Sequence, residues 1–246
     1  MVDLHIFSTE PIISNSFGEA LLSRVDLYDV DNSFNFQEAL NCISKAAGAL
    51  LLWFASGLNS HSFTSEVLAC SGFISMKVIK IKSFSVYSFG LYIHPDSICE
   101  KLGPKYAYVT VNELNNRPDF YEDLLREDNH MTVRLVVNCN GLKINIVCNA
   151  FEKSLRARLL KMNPNTNYYC LKTFGSCFAQ DISLPVGTSI YFWQIADGEL
   201  ITEINGKQIR VVHSKELCKA FFDMYIGDGP VSVQANEEIA RTLMVS

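Results

Sequence analysis

Residues 82–92 read Lys82-Ser83-Phe84-Ser85-Val86-Tyr87-Ser88-Phe89-Gly90-Leu91-Tyr92, and Ile93-His94-Pro95 closes the run. Side chains alternate across a strand, so Tyr87, Phe89, Leu91 and Ile93 share one face, and Val86, Ser88, Gly90 and Tyr92 share the other. Pro95 cannot donate to a ladder and ends the strand. The first face is apolar apart from one hydroxyl, that of Tyr87. It suits either an aromatic core or the wall of a ligand cavity with one polar handle. Just upstream, Val78, Lys80 and Lys82 alternate with Ile79 and Ile81, which predicts an earlier strand from Met76.

Working outward, the period changes to that of helices. Leu40, Ile43, Ala47, Leu50, Leu51 and Phe54 fall at three- and four-residue steps, predicting a helix over 37–56, with Gly57 and Asn59 as its stop. Residues 1–36 carry no steady period and read as loosely structured. Arg117-Pro118-Asp119 opens a short helix to about Arg126, because proline is tolerated in a first turn. Met131–Asn138 reads as a strand broken by Asn140-Gly141. The clearest helix spans 145–162, with Val147, Phe151, Leu155, Leu159 and Met162 as its apolar stripe and Glu152, Lys153, Arg156 and Lys161 outside. Thr188–Ile195, Glu199–Ile204 and Gln208–Val212 are β-rich runs joined by Ala196-Asp197-Gly198 and Asn205-Gly206, both tight-turn signals. Ser214 is placed to cap a helix to about Tyr225. Gly227-Asp228-Gly229-Pro230 reads as a turn, and a last helix fits Gln234–Leu243. Hairpins with segregated helices predict an α+β fold with a largely antiparallel sheet, faced by helices. Residues 1–60 then form an N-terminal extension with one apolar helix, and 61–246 form the domain.

Composition narrows the function classes. At 48% hydrophobic and 19% charged, the 246 residues can bury a sizeable core. A net charge of -5 argues against nucleic acid as a partner, since phosphate binding needs clustered positive charge. The eight cysteines are scattered without a CxxC pair, so no metal site is expected and most thiols read as small core residues of a reducing compartment. The run Ala46–Ala55 is about half of the ~20 residues a membrane span needs. GxSxG, HExxH, P-loop and GxGxxG signatures are missing, and the five histidines stand apart from one another. From the residues alone, no cofactor and no catalytic group is indicated.

The stretch 82–92 resembles the signature strand of the chalcone isomerase family. Its Val86-Tyr87-Ser88-Phe89-Gly90-Leu91-Tyr92 form is similar to the fatty-acid-binding branch found in plants. Three further blocks carry the resemblance: Met131-Thr132-Val133-Arg134-Leu135, Ala150-Phe151-Glu152-Lys153-Ser154-Leu155, and Phe222-Asp223-Met224-Tyr225-Ile226-Gly227-Asp228-Gly229-Pro230-Val231-Ser232. Together they span about residues 65–243, in the family's order. The resemblance implies a chalcone isomerase-like open-faced β-sandwich with a cleft between sheet and helices.

The resemblance also implies which residues matter. The isomerase's early threonine falls on Tyr87, its catalytic tyrosine near Leu142 and its late threonine near Met224. Asn149 stands at the asparagine position and Arg134 at that of a lysine. Losing those hydroxyls removes the bonds that would stabilise an enolate, so isomerase-type intramolecular lyase activity is the lesser expectation. In the fatty-acid-binding branch a tyrosine, here Tyr87, and an arginine about a dozen residues earlier hold the carboxylate. The arginine's position falls on Ile74, with Ser75 as the next choice. Arg134 substitutes if it points into the cleft, and otherwise it is an outward strand residue. The expectation is a non-catalytic protein that binds a free fatty acid, with carboxylate capture weakened by the missing arginine, and, by resemblance only, one located in the chloroplast stroma. A vestigial interaction protein of the same fold is the other reading.

Overall fold

A computed structural model of the chain describes residues 66–78, 82–126, 129–166, 168–176, 182–195 and 197–243. The expected apolar helix over 37–56 and the loose segment 1–36 lie outside the described residues. Strands β1 (Val67–Val78) and β2 (Lys82–Ile93) pair antiparallel. A π-helical turn, Ser97–Leu102, leads to three short helices, α1 (Gly103–Tyr106), α2 (Val111–Leu114) and α3 (Pro118–Leu124). Strand β3 (Met131–Val137) and the two-residue β4 (Leu142–Lys143) precede the long helix α4 (Ile144–Met162). Helix α5 (Tyr169–Ser176) and the short β5 (Ser183–Leu184) follow. Then come β6 (Ser189–Ile195), β7 (Glu199–Ile204) and β8 (Lys207–His213), and the helices α6 (Lys215–Ile226) and α7 (Val233–Leu243).

Six strands make one antiparallel sheet in the order β1-β2-β3-β6-β7-β8, while β4 and β5 pair separately. The local signals explain the hairpins. Asn205 and Gly206 both take positive φ, 49° and 80°, as a two-residue primed turn requires. The Ser214 hydroxyl accepts from the Leu217 amide and caps α6. Thr110 and Glu113 form a reciprocal capping box that starts α2.

The first hairpin differs from the sequence expectation. The strand read from Met76 begins at Val67, and Val78 and Lys82 are cross-strand partners rather than neighbours on one strand. Residues 79–81 lie outside the described ones. Alternation of Lys with Ile continued through the connection without a Gly or Asn to mark it, so period alone ran two strands together. Helix α5 and the helices α1 and α2 were not anticipated either. They are too short for a periodic stripe to stand out.

One face of the sheet carries the core. Phe192 of β6 meets Phe221 of α6 at 4.7 Å between ring centroids and Phe151 of α4 at 5.5 Å. Phe151 and Phe221 stack at 5.6 Å, and Phe174 of α5 joins them at 6.2 Å from Phe192. Burying each such ring stabilises the fold by about 1.5–3 kcal/mol. The expected stripe on α4 is buried at Val147, Phe151, Leu155 and Leu159, but Met162 is 38% exposed at the helix end. The same helix buries Ser154 and Arg158, which hydrophobic periodicity does not reveal.

Arg158 has a purpose in the packing. Its Nη1 donates to Ser154 Oγ at 3.1 Å, its Nη2 donates to the Gly229 carbonyl at 2.9 Å, and its Nε lies 2.9 Å from Asp223 Oδ2. That last contact is an ion pair without hydrogen-bond alignment. Lys161 pairs with Asp228 at 2.8 Å. The Asp223–Pro230 block is therefore a clasp that ties α6 to α4. Desolvation works against both the buried Arg158 and the half-buried Asp223, lowering the pKa of the first and raising that of the second. Gly227 is required at this spot, because a Cβ there would collide with the Asp223 carboxylate.

Of the six described cysteines, Cys70, Cys148 and Cys218 are buried, as expected of core thiols. Cys99 is exposed, and Cys139 and Cys170 are half-buried. Among the described residues no helix is long and apolar enough to cross a membrane, and no cluster of metal-ligating side chains occurs.

Candidate functional site

Tyr87 decides the location. It lies on the helix-covered face of β2 and is 2% exposed, with Phe89, Leu91 and Ile93 following on the same face. Its cross-strand partner on β1 is Ile74, so the two side chains are direct neighbours on that face. The pairing shifts here: Ile74 opposes Tyr87 while Ser75 opposes Ser85, leaving Val86 as the extra residue of a β-bulge. Asn138 braces the bulge from β3's end, donating through Nδ2 to Ser85 Oγ at 2.9 Å and Ser88 Oγ at 2.7 Å. The bulge sets the direction of Tyr87, since a one-residue slip would turn it to the other face.

Behind Tyr87 the face is closed by rings. Phe89 stands opposite Gly72, whose missing Cβ leaves room for the ring; a Cβ would come within 2.8 Å of it. Phe89 in turn contacts Tyr225 of α6 at 5.2 Å between centroids. Tyr225 is 1% exposed, and among the described residues its hydroxyl has no hydrogen-bond partner. Burial holds the Tyr87 phenol well above the usual tyrosine range, and the Tyr225 phenol adds to the effect. Burial also raises Tyr225. Both phenols are therefore neutral donors across the physiological range.

Tyr225 is the residue that sequence reasoning missed. It stands beside Met224 in the block Phe222–Ser232, and its position four after Phe221 puts both rings on the sheet-facing side of α6. Nothing in the sequence shows that its hydroxyl meets no partner among the described residues.

Arg134 is on the opposite face. It pairs with Gly90 of β2 and Tyr191 of β6, whereas the Tyr87 face of β3 carries Val133, Leu135 and Val137. Of the two orientations open to it in the sequence, the structure selects the one away from Tyr87. Its guanidinium sits over the Tyr191 ring at 5.4 Å and favours the ionised form of Tyr92, whose pKa burial nevertheless pushes up to about 12. Thr132, on that same face, donates to Glu66 at 2.9 Å. Arg134 thus cannot replace a cation beside Tyr87.

The other expected positions are dispersed. Leu142 is buried in β4 opposite Leu184. Met224 is fully buried in α6. Asn149 is half-buried on α4, two residues past Val147, so it points roughly 200° around the helix from that stripe. The structure brings together Tyr87, Ile74 and Tyr225, and it separates Arg134 and Asn149 from them. His94 and His213 are engaged elsewhere, near Asp96 at 3.5 Å and Glu199 at 3.1 Å.

Comparison with known proteins agrees with this frame. The family described as "Chalcone isomerase like" matches residues 68–240. Fatty-acid-binding protein 2 of Arabidopsis thaliana is 58% identical over 186 residues, covering 76% of this chain and 47% of that protein. Fatty-acid-binding protein 1 of the same plant is 31% identical over 167 residues, covering 68% of this chain and 60% of that protein. The chain thus spans roughly half the length of these relatives. A crystal structure of an Arabidopsis thaliana fatty-acid-binding protein superposes with a TM-score of 0.67 at 30% identity, covering 74% of this chain and 91% of the other.

Proposed function

The chain belongs to the chalcone isomerase-like family, and we propose that it is a non-catalytic protein that binds a free fatty acid between the Tyr87 face of the sheet and the helices. The observation that carries the reading is the placement of a buried tyrosine hydroxyl on an otherwise apolar, bulge-oriented face. Such a face offers an acyl chain the apolar contacts of Phe89 and Leu91 and offers its head group a donor. The chemistry of an isomerase has no support there. Leu142 and Met224, at the positions where the resemblance expects hydroxyls, can neither donate a proton nor hold an enolate oxygen. The names of the Arabidopsis relatives support the ligand class. The stromal location that the resemblance implies belongs to the same proposal, and organelle fractionation checks it.

The test is a titration of the delipidated full chain with medium- and long-chain fatty acids, beside the Tyr87→Phe variant. Wild type is expected to bind, and Tyr87→Phe to bind about 2–10-fold more weakly, the worth of one neutral hydrogen bond. Absence of binding by any chain length overturns the reading and leaves an interaction role for the fold.

A further inference from the structure

Tyr225 is placed where its hydroxyl is costly. A buried phenol without a partner loses its hydration and gains nothing, and phenylalanine would fill the same space without that loss. The ring lies against Phe89, two residues from Tyr87 on the same strand face, so the two phenols converge on one region of the sheet–helix seam. The described cations nearest to it are turned away or paired. Ile74 stands directly across from Tyr87, and Arg134 is on the far face of the sheet. Arg158, the charged group nearest to Tyr225 from α4, is neutralised by Asp223 and bonded to Ser154 and Gly229.

We propose that the head-group subsite takes a neutral acyl carbonyl, with the Tyr225 hydroxyl as its second hydrogen-bond donor beside Tyr87. This inference rests on the lipid-binding reading above and names the form of lipid. A carbonyl oxygen has two lone pairs and matches two phenol donors. A carboxylate brought to the same place leaves a charge in an apolar seam without a cation, which is far less favourable. A protonated fatty acid and a fatty acyl ester share the neutral carbonyl.

Among the described residues, the other titratable groups around Tyr225 include Cys70 of β1, whose thiol burial pushes up to about 12, the Arg158–Asp223 pair, and, acting on or beside Cys70, Glu238 of α7 and Tyr121. An ester carries no titrating group. Its binding therefore reports any titration of these side chains, and the acid's binding reports its own.

The experiment measures affinities of the delipidated full chain for lauric acid and for methyl laurate at pH 5, 6.5 and 8. The acid is expected to weaken about tenfold per pH unit above its own pKa, by one-proton linkage, while the ester stays level. The Tyr225→Phe variant, isosteric and therefore folded, is expected to weaken both ligands about 2–10-fold. An ester tighter than the acid at pH 5 identifies the ester as the source, and the reverse order identifies the protonated acid. Equal binding of the acid at pH 5 and 8, with no binding of the ester, overturns the inference and leaves fatty-acid binding intact. A Tyr225→Phe variant unchanged toward both ligands overturns it as well. Failure of both ligands to bind at any pH removes the lipid reading and the inference together.

Discussion

Replacing Ile74 with arginine puts a guanidinium directly across the strand pair from Tyr87. Directly opposed residues on neighbouring strands hold their Cβ atoms about 4.5–5.5 Å apart, so the new side chain reaches whatever the Tyr87 hydroxyl reaches. A hydrogen bond to a charged group contributes about 1.5–3 kcal/mol against about 0.5–1.5 for a neutral one. The difference, about 1 kcal/mol or a little more, corresponds to roughly tenfold in affinity for a carboxylate. The change also removes the apolar contacts of a half-buried isoleucine and should lower stability by about 1 kcal/mol. Isothermal titration with laurate at pH 8 checks the first effect and urea unfolding the second. The expected result is laurate binding at pH 8 tightened about tenfold, with methyl laurate unchanged or weaker, and an acid affinity that falls about tenfold less between pH 5 and pH 8 than in wild type. A folded Ile74→Arg protein with unaltered laurate affinity would refute the placement of the head group between Ile74 and Tyr87.

Gly227→Ala should break the α4–α6 clasp, because the added Cβ displaces the Asp223 carboxylate and leaves Arg158 buried without its counter-charge; a loss of about 3–5 kcal/mol is expected by urea titration. Asn138→Ala removes both bonds that brace the bulge, and a loss of about 1–2 kcal/mol together with weaker fatty-acid binding is expected. A stability change without a binding change would show that the bulge does not orient Tyr87. Acid should weaken the α1–α3 region. Arg117 holds Asp119 at about 2, and Asp123, although burial pushes the other way, lies below the usual range because Lys105 and Tyr106 donate to it. Both folded values lie below the unfolded one near 3.9, so this contribution is complete above about pH 4 and is lost as pH falls toward 2. Glu66 and Asp223, raised by burial, act in the opposite sense. The measurement is therefore the difference in urea midpoint between wild type and Asp123→Asn from pH 5 to pH 2.5, which should shrink as pH falls.

Much of this protein is legible in its residues because the signals are local. The alternation of 86–93, the Asn205-Gly206 turn, the Ser214 cap and the stripe from Val147 to Leu159 each depend on neighbours within one or two turns, and each matches the structure. The blocks around Tyr87 and Asp223–Ser232 likewise carried the family without any coordinates. The resemblance set Ile74 at the position of the family's arginine, and only the structure pairs Ile74 with Tyr87, across a hairpin whose connection the alternation had hidden. What only the tertiary structure decided are relations between distant elements. Which face Arg134 occupies depends on the register of three strands. That Arg158 is buried depends on Asp223 and Gly229 arriving from α6 and the turn after it. That the Tyr225 hydroxyl meets no partner among the described residues depends on how α6 sets its ring against Phe89 of β2, where burial rather than sequence spacing sets the chemistry.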